Sequence, residues 1–295
     1  ITLKNIQAIG ISYQMHGLVA IDKNMNPVRP AILWCDSRAV KIGEKAFGAL
    51  KDQYYMDHHL NAPGNFTASK LAWVKEKEPE IYAKIWKFML PGDYLALKLS
   101  DKVTTTEAGL SEGALWDFKN KMISAELMNH YEFSETLIPE IVPSVGLQCH
   151  VSKWAAEELG LTPNIPITYR AGDQPNNALS LDVLEPGELA TTAGTSAVIY
   201  GVTDTPLYDI KSRVNTFLHV NNTLENPRNG VLLCVNGSGI LYSWLKKMLN
   251  VTTELIDYND LNNISKKAPP GSLNLRFFPF GNGAERILGN VNLKA

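Results

Sequence analysis

Three times in this chain a short β-branched or apolar run empties into a polar turn that carries glycine. Ile6–Ser12 runs into Gln14-Met15-His16-Gly17, and Ile165–Arg170 runs into Ala171-Gly172-Asp173-Gln174. Val231–Val235 runs into Asn236-Gly237-Ser238-Gly239 and then into a segment with Leu241, Trp244, Leu245, Met248 and Leu249 on one helical face. Further strands are expected at Leu18–Asp22, Lys87–Leu90, Glu188–Thr192 and Ala197–Val202, with a short apolar run at Ala31–Trp34. Helices are expected over Thr67–Glu78, over Glu80–Trp86 behind Pro79, from Pro91 to Leu99, and from the cap Ser152 to Leu159 before Gly160. Strands that alternate with helices demand layered α/β packing. The 295 residues suffice for two lobes, and the texture changes near residues 181–187.

Composition removes several classes of function. A formal net charge of −2, from 28 basic and 30 acidic residues, argues against a nucleic-acid or anionic-membrane surface. No apolar run reaches the roughly 20 residues of a membrane span. Cys35, Cys149 and Cys234 are odd in number and far apart, so they form neither a disulfide framework nor a thiolate zinc site. A cytoplasmic setting is expected, and triplets such as Asn65-Phe66-Thr67 are read as chance rather than as glycosylation sites.

The candidate chemistry lies in the turns. An Asp after a glycine at the end of a strand, as in Gly172-Asp173-Gln174, can face the crevice outside the carboxyl ends of an α/β sheet. Gly194-Thr195-Ser196 offers backbone N–H groups and two hydroxyls to an anion. A carboxylate base beside such a loop is what phosphoryl transfer to an alcohol requires. Gln14, Met15 and His16 supply neutral donors and acceptors suited to a polyhydroxylated ligand, and Trp34-Cys35-Asp36-Ser37-Arg38 adds a flat apolar face with an Asp and an Arg. Each segment also has an ordinary reading: a turn Asp, a hairpin, a structural histidine, a local Asp36–Arg38 pair. His58-His59 is read as loop, and Gly237-Ser238-Gly239 lacks the third glycine of a dinucleotide fingerprint, because position 242 is Tyr.

Taken in order, the segments resemble the central part of the FGGY family of carbohydrate kinases. The resemblance is carried by Gly10 through Gly17, Arg29 through Arg38, Lys70-Leu71-Ala72-Trp73 with Glu78-Pro79-Glu80, and Leu90 through Leu95. It continues through Gly172-Asp173-Gln174, Ala193-Gly194-Thr195-Ser196 and Phe278-Pro279-Phe280-Gly281 with Glu285-Arg286. Gln14-Met15-His16-Gly17 points to the xylulokinase branch. Gln174 departs from the Asn common there and is closer to the glycerol-kinase branch, and Pro175-Asn176-Asn177 departs as well.

The resemblance implies an α/β, actin-like ATPase (ribonuclease-H-like) fold of two domains, incomplete at both ends, since the Asp-X-Gly-Thr strand and the adenosine segment have no counterpart here. Residues 1–183 are then the remainder of an N-terminal sugar-binding domain and 184–295 the first part of a nucleotide-binding domain. Asp173 is implied as catalytic base, and Met15, His16, Asp173 and Gln174 as substrate-binding residues. Gly194, Thr195 and Ser196 are implied to hold the ATP phosphates, with Mg²⁺ as the second cofactor and no residue assigned as a metal ligand. The expected reaction is phosphorylation of a ketose hydroxyl, D-xylulose to D-xylulose 5-phosphate. Ribulose, gluconate or glycerol as substrate, or a non-catalytic sugar-binding module, are the alternatives. The partners are the sugar and ATP, with neither nucleic acid nor membrane, and a homodimer is left open. This chain alone is expected to be inactive.

Overall fold

The computed structural model describes residues 2–50, 53–194, 197–235, 237–252 and 255–278. The first strand, β1 (Ile9–Tyr13), leads to β2 (Val19–Ile21) and then to helices α1 (Val40–Leu50), α2 (Gln53–His59), α3 (Thr67–Lys77) and α4 (Pro79–Tyr82). Next come β3 (Lys87–Met89), α5 (Pro91–Ser100), β4 (Thr104–Thr106), α6 (Glu107–Glu112), the hairpin β5 (Trp116–Asp117) and β6 (Met122–Ile123), and α7 (Ala125–His130). Then follow β7 (Glu140–Val142), β8 (Val145–His150), α8 (Lys153–Leu159), β9 (Pro166–Gly172) and α9 (Asp173–Ser180). The chain continues through β10 (Leu189–Ala193), β11 (Ala197–Thr203), β12 (Asn215–Leu218), β13 (Asn229–Val235), α10 (Ser238–Thr252) and α11 (Tyr258–Ser265).

The pairing that matters most is between β1 and β9. They run parallel, with Ser12 opposite Ala171 and Tyr13 opposite Gly172, while β8 flanks β9 on its other edge in antiparallel sense. Ile11 and Tyr13 from β1, Ile167 from β9, Cys149 from β8 and Ala155 and Ala156 from α8 share one buried cluster. Several expectations hold to within a residue or two. The Ser152 hydroxyl accepts the N–H of Ala155 at the start of α8, and Gly160 closes that helix at φ 68°.

Other expectations need correction. The helix expected to reach Trp86 ends at Tyr82, because the Trp86 N–H must turn to reach the Ile21 carbonyl at 2.8 Å and seed the β2–β3 pair. Ala31–Trp34 contributes a single bridge, Leu18 to Ile32. His58 and His59 are not loop: they form the last turn of α2 and are 4% exposed. His58 Nδ1 lies 2.9 Å from Asp117 Oδ2. His59 Nδ1 donates to the Tyr55 carbonyl, which leaves Nε2 to accept the Ser124 hydroxyl at 2.6 Å. Burial holds His59 below its ordinary pKa, in keeping with that neutral ring.

Two compact units emerge, residues 1–189 with 201–231, and residues 190–200 with 232–295. Residues 184–189 and 201–231 belong with the first unit, held there by Gly187 N–H to the Val202 carbonyl, by Arg228 to Glu185 at 2.6 Å and by His219 Nε2 to the Val183 carbonyl. Strands β10 to β13 hydrogen-bond in the order β10-β11-β13-β12. Among the described residues no helix is long and apolar enough to cross a membrane.

Under β9 lies a buried ion pair. Arg170 and Asp93, both 0% exposed, approach to 3.2 Å. The Arg170 guanidinium also donates to the Thr104 carbonyl at 3.2 Å and to its hydroxyl at 3.0 Å. Asp93 Oδ2 accepts the Leu90 N–H at 3.0 Å, which caps α5, and the Thr105 hydroxyl at 2.9 Å. Burial pushes the Asp93 carboxyl up, and the guanidinium opposes that push. Removing one partner strands a buried charge. Arg170→Met is expected to lower stability by about 3–5 kcal/mol, read as a fall in the urea midpoint. Arg170→Met with Asp93→Leu is expected to recover part of that loss.

Candidate functional site

Parallel strands release their chains at the same end of a sheet. Because Tyr13 pairs with Gly172 on the last rung, the Gln14–Gly17 turn and Asp173 emerge side by side at the carboxyl ends of β1 and β9. Asp173 opens α9, where a carboxylate in the first turn is favoured by the helix dipole. Gln174 Nε2 donates to Asp173 Oδ2 at 2.9 Å. Gly172 is dictated by crowding, since a Cβ there would stand 2.5 Å from Glu112 Oε2 and 2.5 Å from Met15 Cγ. Met15, expected to touch a ligand, is 5% exposed and packs against Gly172. Its side chain fills space beside Gly172.

His16 is partly exposed and held in the left-handed region at φ 62°, a conformation that costs a non-glycine residue about 1 kcal/mol. Its Nδ1 lies 2.8 Å from the Glu112 carbonyl. A carbonyl can only accept, so Nδ1 carries the proton. The ring packs against Phe66 and Phe217, with centroids at 4.5 and 5.3 Å. Lys70, from α3, donates from Nζ to the His16 carbonyl at 2.6 Å.

Gln14 Oε1 accepts the Trp34 N–H at 3.3 Å, which ties the turn to the Trp34–Arg38 segment. Trp34 is 61% exposed. Arg38 forms the expected local pair with Asp36 at 2.7 Å and lies 4.7 Å over the Trp73 ring. The hydrogen bond from Arg38 holds the Asp36 carboxyl down at about 2.

Two residues that sequence reasoning did not single out complete the surroundings. Glu112, at the end of α6, is buried, and burial pushes its carboxyl well above the ordinary range while Tyr13 hydrogen-bonds to it. Its side chain reaches the Gly172 position next to Asp173. Lys70, on α3, is fully buried, and burial pulls its ammonium down to about 8.

In the second unit, the Gly194 carbonyl accepts the Gly239 N–H at 2.9 Å, joining the turn after β10 to the start of α10. Thr195, Ser196 and the Pro279–Arg286 segment lie outside the described residues. Among the described residues no group of three or more His, Cys, Asp or Glu side chains is gathered to hold a metal ion.

The sequence pattern of the FGGY family of carbohydrate kinases, N-terminal domain, matches residues 1–180. The chain belongs to the FGGY family of carbohydrate kinases. It is 30% identical over 269 residues to a xylulose kinase of Staphylococcus xylosus, an alignment covering 88% of this chain and 54% of that protein. It is 27% identical over 305 residues to a gluconokinase of Bacillus subtilis, covering 99% of this chain and 57% of the relative. In fold it is similar to a ligand-bound xylulose kinase from Lactobacillus acidophilus, with a TM-score of 0.86, 21% identity, and coverage of 98% of this chain and 57% of the other. The chain thus spans little more than half the length of these relatives, and the likeness bears out the actin-like α/β fold.

Gly172→Ala tests the crowding at the site. The added methyl group is expected to cost about 1–3 kcal/mol, read as a lowered urea midpoint with the circular dichroism spectrum retained.

Proposed function

We propose that this chain carries the sugar-binding part of an ATP-dependent kinase that phosphorylates a ketose hydroxyl, D-xylulose to D-xylulose 5-phosphate. The observation that carries this reading is the parallel β1–β9 pair, which delivers His16 and Asp173 to one end of one sheet. Asp173 is the general base. Its carboxylate accepts the proton of the attacking hydroxyl as that oxygen forms its bond to the γ-phosphorus. His16 and Gln174 orient the sugar's hydroxyl groups, while Met15 shapes the floor from below. Residues 1–183 form the sugar-binding domain in this reading, and residues from 184 onward begin the nucleotide-binding domain. There Gly194, Thr195 and Ser196 contact the ATP phosphates. Mg²⁺, when bound, neutralises the charge that develops on the transferred phosphoryl oxygens. The cytoplasm, where ATP and free sugars meet, is the setting.

The similarity to a gluconokinase over nearly the whole chain, together with Gln174 in place of Asn, supports a second reading in which the acceptor is a sugar acid or polyol. A panel of D-xylulose, D-ribulose, gluconate and glycerol, assayed by ADP release with the complete gene product, separates the two through the highest kcat/KM. In the same protein, Asp173→Asn is expected to lower kcat by about 10²- to 10⁴-fold, with sugar binding retained in calorimetry. Undiminished turnover in that variant removes Asp173 as the base. Sugar binding without ADP release from any acceptor by the unmodified protein favours a binding module instead.

A further inference from the structure

We propose that Lys70 is a positioning residue for sugar recognition: it clamps the His16 carbonyl and thereby fixes the direction in which the imidazole meets the acceptor. This rests on the reading of His16 as a sugar contact. The starting observation is the placement of Lys70 itself. Lysine is almost never fully buried, yet this side chain is 0% exposed, and among the described residues no carboxylate lies within the 4.0 Å of an ion pair. A buried cation is tolerated when a strong acceptor meets it. The acceptor here is one backbone oxygen, that of His16, at 2.6 Å, the length of a charge-assisted bond.

That oxygen belongs to a residue with a strained backbone. His16 stays at φ 62° only while its surroundings over-determine it. Lys70 does not act alone on this turn. Thr67, three residues earlier and therefore on the same face of α3, donates its hydroxyl to the next carbonyl, that of Gly17, at 3.1 Å. The first turns of α3 thus grip two successive carbonyls of the ligand-facing turn. The Glu112 carbonyl, on Nδ1, fixes the rotation of the ring, and Phe66 and Phe217 pack against it at a tilt. Without Lys70 the peptide after His16 is released to rotate toward the right-handed or extended region. The imidazole then turns with it. Asp173 opens a helix after a different strand, held by Gln174 and by the crowding around Gly172, so the chemical step is affected far less than recognition.

The test is Lys70→Met in the complete gene product, which keeps the bulk of the side chain but cannot donate. Sugar KM is expected to rise about 10- to 100-fold, the worth of a hydrogen bond to a charged group, with KM for ATP unchanged and kcat reduced less than about 3-fold. In a His16→Ala background the same substitution is expected to add little, because both changes remove one recognition element. A purely structural lysine predicts additive effects, and that result overturns the clamp. Equal losses in kcat and kcat/KM overturn it as well. Should Lys70→Met not accumulate as folded protein, Thr67→Val carries the test through the neighbouring bond. It is expected to raise sugar KM several-fold, and an unchanged KM there rejects the proposal. The two readings fail separately. An unmodified protein that phosphorylates no sugar defeats the kinase assignment, whereas robust, Asp173-dependent turnover with an unaltered KM in Lys70→Met defeats only the clamp.

Discussion

The first unit is organised around a charge that cannot escape to water. Arg170 and Asp93 face each other in complete burial, and the groups around them come from elements distant in sequence: the Leu90 N–H at the head of α5, and Thr104 and Thr105 on β4. A buried pair of this kind adds little net stability over an apolar pair of similar volume, and breaking it by halves is costly. Its physical contribution is to placement. Arg170 stands two residues before Gly172, so the pair sets the depth and register at which β9 delivers the Asp173 turn. Sliding β9 by one residue would swing Arg170 to the opposite face of the strand and abandon Asp93.

Around that fixed strand the polar groups of the site are arranged with little duplication of charge. Burial, and then the carboxylates near it, push the Glu112 carboxyl well above its ordinary range, and it packs against Gly172 while its main-chain carbonyl meets the His16 ring. One residue therefore touches both halves of the site, through its side chain on one and its backbone on the other. Lys70 supplies a buried cation on the opposite side of His16. The Gln14–Gly17 turn is thus held by groups from two helices that the sheet itself does not position, α3 on its backbone and α6 on the His16 ring.

The strands and their turns were legible in the sequence because β-branched runs such as Ile9–Ile11 and Ile165–Ile167 carry a local signal. The position of Asp173 was legible for the same reason, because a Gly-Asp step at the end of such a run falls where the strand gives way to a helix. What escaped is non-local. Glu112 and Lys70 sit in helical segments where an acid or a base ordinarily faces water, and only contacts with Tyr13 and His16, some fifty to a hundred residues away, reveal them as interior groups. The Asp93–Arg170 pair was invisible on the same grounds. His58-His59 was misread because Gln53–His59 lacks an apolar period, and its burial depends on Asp117 and Ser124 from a distant hairpin. Met15 was placed in the right turn, yet alternation at the end of β1 sends its side chain inward.

The parallel pairing of β1 with β9 also has a kinetic consequence. Strands that lie side by side in space are separated by roughly one hundred and fifty residues of chain, so their docking closes a very large loop, and its entropic cost falls due before the contact can reward it. During synthesis β1 leaves the ribosome long before its partner, with an unpaired edge open to the wrong neighbours. The local elements, the helices α3 and α5 among them, can form in that interval, but the juxtaposition of the Gln14–Gly17 turn with Asp173 cannot. It is therefore among the last features of the first unit to exist, and a delay in translation between residues 14 and 165 lengthens the time for which this protein is exposed to aggregation.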